Sequence, residues 1–85
     1  MEHSAENRGL HLLVSNSVKE LCRVVMPLAS VNNLEDLFPD DDLSSVKSAG
    51  VDFSAVIARA RASGFAAQTL IETSTSERTY RIWIE

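Results

Sequence analysis

From Leu10 to Leu28 the apolar residues Leu10, Val14, Val18, Leu21, Val25 and Leu28 recur three or four positions apart, which predicts a helix with one buried face. A second pattern competes with it. Ser17-x-x-Glu20 has the form of a capping box, which would start a helix there and leave residues 10–14, LHLLV, as a short strand. Pro27 kinks or ends the helix in either version. The following VNNLEDLFPDDDLSSVKSAG reads as two short helical pieces. Asn33 caps a turn through residues 35–38 that Pro39 stops, and Asp42 caps residues 43–48, which Gly50 ends.

The segment VDFSAVIARARASGF predicts a helix over residues 53–63. Asp52 suits the N-cap, and Val51 and Val56 are spaced as a hydrophobic staple. Phe53, Val56, Ile57 and Ala60 form the buried stripe; Gly64 stands where a left-handed residue ends a helix, with Phe65 folding back on Ala60. The chain closes on QTLIETSTSERTYRIWIE, which alternates as a β-hairpin: strands over 67–73 and 78–84 around the four-residue loop 74–77. That register sets Thr73 against Arg78, Ile71 against Tyr80, Thr69 against Ile82 and Ala67 against Ile84. Tyr80, Ile82 and Ile84 then look inward, and Gln68, Leu70, Arg81 and Trp83 look outward.

These elements give an α+β fold: three helical segments followed by a C-terminal antiparallel β-hairpin, winged-helix-like in order. Were residues 10–14 a strand instead, it would pair with the hairpin and close its free edge. Residues 1–9 read as a flexible polar arm and residues 10–85 as a single small domain. At 85 residues such a domain hides only about two thirds of its unfolded surface, so a partner or a second copy would add stability.

Charge narrows the partners. The net charge is −4, but residues 1–42 carry three bases against eight acids and residues 43–85 five against four. The whole chain is therefore a poor non-specific ligand for a phosphate backbone, while its C-terminal half keeps a local basic character. The single cysteine, Cys22, excludes an internal disulfide and reads as a small buried hydrophobe. MEHSAENRG lacks the basic and apolar regions of a signal peptide, and no apolar run is long enough to span a bilayer. A cytoplasmic protein is expected.

Catalytic patterns are missing. His3 and His11 are not at metal-ligand spacing, and Asp40-Asp41-Asp42 lacks the alternation, glycine and closing glutamate of a calcium loop. Three glycines, Gly9, Gly50 and Gly64, write no phosphate-binding loop, and no GxSxG elbow occurs. Neither an enzyme, nor a metal or other cofactor, nor a small-molecule substrate is expected.

Two binding surfaces remain. Leu70, Arg81 and Trp83 form a cluster of the types that anchor protein interfaces, which points to a regulatory or adaptor protein acting on a protein partner or on itself as a homodimer. The alternative is a winged-helix DNA-binding regulator, with Arg59 and Arg61 on the last helix and Arg78 on the wing. Residues 43–72, with an apolar helix and the ending from Ala60 to Phe65, also resemble the end of leader-peptide domains of nitrogen-fixation-type peptide precursors. The double-glycine cleavage site of such leaders is absent, and RTYRIWIE replaces a precursor core, so the chain is not assigned to them.

Overall fold

The first long apolar stretch is not a helix. In the computed structural model, which describes residues 8–85, it forms β1 (Leu10–Ser15) and β2 (Glu20–Met26). A 3-10 helix (Leu28–Leu37), α1 (Asp40–Ser48) and α2 (Phe53–Ala62) follow, and then β3 (Gln68–Ser74) and β4 (Thr79–Ile84). The four strands make one antiparallel sheet in the order β2-β1-β4-β3, so strands from both ends of the chain interleave at its centre. The expected winged-helix-like arrangement, helices first and hairpin last, is overturned by this sheet.

Three features explain why the strand pattern wins over residues 10–26. Leu10, Leu12 and Val14 also alternate, and valines at 14, 18, 24 and 25 lose side-chain freedom in a helix but fit a pleated surface. Asn16 makes a tight turn: its side-chain oxygen accepts the N–H groups of Val18 and Lys19, each at 2.8 Å, and its own N–H donates to the Lys19 carbonyl at 2.9 Å. Ser17 and Glu20 are therefore used by the hairpin and not by a helix cap. Finally, the free edge of β4 can be satisfied by a strand and not by a helix, and β1 pairs with it from Leu10–Ile84 to Ser15–Thr79. The flexible arm expected over residues 1–9 lies, for residues 1–7, outside the described residues. Gly9 already belongs to the sheet, exchanging backbone hydrogen bonds of 3.1 and 3.2 Å with Glu85.

The helical layer covers one side of the sheet. Leu10 and Leu12 of β1, Tyr80, Ile82 and Ile84 of β4, and Leu70 and Ile71 of β3 are buried against Val31, Leu34, Phe38, Val46, Phe53, Val56 and Ala60. Phe38 sits at the centre of this contact, its ring 4.7 Å from that of Tyr80 and 5.7 Å from that of Phe53. Asp52 caps α2 as expected, its carboxylate accepting the Ala55 N–H at 3.1 Å. Gly64 takes φ +69°, and the Phe65 N–H closes the helix on the Ala60 carbonyl at 2.8 Å. α1 begins three residues earlier than the Asp42 cap predicts, directly after Pro39, so that Asp40, Asp41 and Asp42 all lie in its first turn beside the positive end of the helix dipole. The 3-10 helix is longer than the predicted turn and kinks at Asn33.

The β3–β4 hairpin differs in register. Thr73 faces Tyr80, Ile71 faces Ile82 and Ser74 faces Thr79, which moves the four-residue loop to residues 75–78. The Thr75 hydroxyl accepts the Arg78 N–H at 3.1 Å and the Glu77 N–H at 3.3 Å, stabilising that loop. The pairing then jumps from Ile71–Ile82 to Thr69–Trp83, leaving Leu70 as a bulge residue. Inward-facing Tyr80, Ile82 and Ile84 keep their expected side because the shift moves the register by an even number of residues.

Candidate functional site

The sheet has a second side on which, among the described residues, no helix lies. Reading across the strands by register, one row there holds Val25, His11, Trp83 and Thr69, and the next holds Arg23, Leu13, Arg81 and Glu72. The His11 and Trp83 rings stack with centroids 5.2 Å apart and planes 16° from parallel. The Arg81 guanidinium lies 5.0 Å from the indole centroid and reaches Glu72 at 3.8 Å. The indole N–H donates to the Glu85 carboxylate at 2.7 Å. Trp83 and His11 are thus half-buried by each other while their outer faces meet solvent.

Of the expected cluster, Arg81 and Trp83 come together on this open side. Leu70 does not join them. The bulge in β3 reverses its direction, so it packs into the core with Ile71. Sequence reasoning missed His11, Leu13 and Val25 as neighbours of Trp83. The signal was available only through the strand reading of residues 10–14, in which the odd-numbered positions share the side of Trp83.

The three arginines of the DNA-binding alternative are each engaged by the protein itself. Arg59 donates to the Leu70 carbonyl at 3.1 Å, Arg61 donates to the Asn32 side-chain oxygen, and Arg78 pairs with Asp42 at 2.7 Å. The helix and hairpin that carry them belong to the interleaved sheet fold, where no wing projects beside a recognition helix.

Asp42 is the centre of a separate polar cluster. It receives the Tyr80 hydroxyl as well as the Arg78 guanidinium, joining α1 to β4 and to the end of the hairpin loop. The Tyr80 hydrogen bond, aided by Arg78 and opposed by desolvation, holds the Asp42 carboxyl below its ordinary range. Burial, followed by the neighbouring carboxylate, pushes the Tyr80 phenol up. A cleft of about 400 Å³ opens beside this cluster, lined by Pro39, Asp41, Ser45, Thr75, Ser76 and Glu77 among others. The cation in its wall, Arg78, is already neutralised by Asp42, so the cluster serves as a clamp between elements.

Cys22 corrects another expectation. It lies exposed on β2, because the helical layer stops short of that strand. Among the described residues no group of three or more His, Cys, Asp or Glu side chains is placed to hold a metal ion, and no helix is long and apolar enough to cross a membrane. Compared with protein-family models, with curated proteins and with solved structures, the chain matches none.

Proposed function

We propose that this chain is a non-enzymatic adaptor or regulatory protein of the cytoplasm that docks another protein, or its own copy, through the uncovered parts of its sheet. The observation that carries this reading is the one-sided helical layer. It leaves Trp83, stacked on His11 and flanked by Arg81, Leu13 and Val25, facing solvent. Tryptophan and arginine surrounded by smaller apolar groups are the composition of interface anchors. The charges on this side are balanced in pairs, Arg81 with Glu72 and Arg23 with Glu20, which suits a protein surface better than a polyanion. A single exposed thiol fits a reducing compartment.

The test is the double variant Trp83→Ala, Arg81→Ala. Its circular dichroism and thermal transition should stay close to those of the parent. A protein captured by the parent chain should be lost by the variant and retained by Ser44→Ala, a control on the helical side. The purified captured protein should also shift the Trp83 emission of the parent. An unfolded double variant would mean that Trp83 is a core residue, and the reading fails.

A further inference from the structure

The open side of the sheet is patterned by charge as well as by apolar groups. In the row Arg23, Leu13, Arg81, Glu72 the two ends are of opposite sign: Arg23 stands on the outer strand β2 and Glu72 on the outer strand β3. Both side chains are more than half exposed, at 55% and 67%. The adjoining row, Val25, His11, Trp83, Thr69, carries the stacked rings on the two central strands and a bare valine at one end. The two rows therefore have a direction, from β2 to β3, that a partner surface must match.

We infer that the occupant of this side is a second copy of the chain. The two open sides pack face to face about a two-fold axis that runs along the strands between β1 and β4, forming a sandwich with both helical layers outside. This rests on the reading of the open side as a docking surface and names its partner. Such an axis lays β2 over β3 of the second copy and β1 over its β4, row upon row. Arg23 then faces Glu72 of the second copy, and Glu72 faces its Arg23. Trp83 faces His11 and the reverse, so the two ring pairs join into one cluster at the axis. Arg81 lies over Leu13 of the second copy. Glu85, which accepts the indole N–H, meets Gly9, which has no side chain to oppose it. Arginine and glutamate are long enough to meet across sheets about 10 Å apart, even with facing strands turned by about 30°.

The charges select this axis over the other one that keeps the strands aligned. An axis across the strands lays each strand over its own copy. At full overlap it sets Arg23 either on Arg23 of the second copy or on its Val25, and Glu72 either on Glu72 or on Thr69. No carboxylate then meets a guanidinium, and in the first case like charges face each other. The area sets the strength. Four strands about 4.8 Å apart and about 20 Å long give a footprint of about 400 Å² per copy. A standard interface buries about 800 Å² per partner, so the dimer is weak and depends on concentration.

Light scattering on the full chain under reducing conditions should show its 9.3 kDa mass rising toward twice that value between about 10 μM and about 1 mM. Trp83 emission should move to shorter wavelength over the same range. Arg23→Glu alone and Glu72→Arg alone should each weaken association about tenfold, because each sets like charges face to face twice. An equimolar mixture of the two should associate as the parent does, and so should both changes combined in one chain. Within a chain these changes crowd like charges beside Glu20 and Arg81, so an effect on folding would add in the combined variant, whereas pairing across the axis restores it. A parent that stays monomeric, a dimer indifferent to the single variants, or a mixture and combination that do not recover would overturn the inference. If the parent stays monomeric while Trp83→Ala, Arg81→Ala remains folded and loses a captured protein, the open side docks a different protein; self-pairing then falls and the docking reading stands.

Discussion

Replacing Tyr80 by phenylalanine removes one hydroxyl and leaves the ring in place. The ring is 2% exposed, and the hydroxyl donates to Asp42, whose carboxylate also pairs with Arg78. A hydrogen bond to a charged acceptor contributes about 1.5–3 kcal/mol, and here its loss leaves Asp42 with less compensation for its partial burial. For a domain of this size that corresponds to a fall in Tm on the order of 10 °C. Urea unfolding of Tyr80→Phe, Asp42→Asn and the double variant gives the coupling between the two groups directly, and the double variant should cost clearly less than the sum.

The pH dependence has a definite sign. Because the Asp42 carboxyl is held below 3.8, the folded state gives up this proton more readily than the unfolded chain does. Its contribution is present above the unfolded value and is lost as pH falls through the lower folded value. The gap between the parent and Tyr80→Phe should therefore be full at neutral pH and shrink below about pH 4. A gap under about 0.5 kcal/mol at neutral pH, or one that stays constant into acid, would refute the clamp.

Other outcomes follow from single contacts. Arg59→Ala frees the Leu70 carbonyl and should cost about 1 kcal/mol in denaturant unfolding, with Arg59→Lys recovering part of it. Gly64→Ala meets no neighbour within 4 Å, so its cost of about 1 kcal/mol should come from the positive φ alone and appear as a modest drop in Tm. Titrated at low salt against mixed duplex DNA, the protein should show no binding, because Arg59, Arg61 and Arg78 are engaged and the chain is net acidic; affinity that falls steeply with salt would contradict this.

The sequence announced some elements and concealed others for physical reasons. The helix Phe53–Ala62 was legible because cap, stripe and glycine ending agree locally. The inward side of β4 was legible because Tyr80, Ile82 and Ile84 alternate with polar or amphipathic neighbours. Residues 10–26 were not, since apolar residues are dense enough there to satisfy periods of both two and about 3.6, and the choice is made by the distant edge of β4. The bulge at Leu70 adds one residue to the count and leaves no mark in the composition, so Leu70 was placed on the wrong side while Arg81 and Trp83 were placed on the right one. The company that Trp83 keeps comes from β1, about seventy positions away before the helices even begin, and follows only once β1 is a strand.

The most direct test of a protein that works through the bare side of its sheet is a set of amide NMR spectra recorded as the concentration of the chain, and then of a captured protein, is raised. The sole indole N–H supplies a reporter beside the backbone signals. The account predicts that shifts move at His11, Arg81 and Trp83 and their neighbours on that side of the sheet, while α1 and α2 stay still. Shifts confined to the helical layer, or none over the whole range, would contradict it.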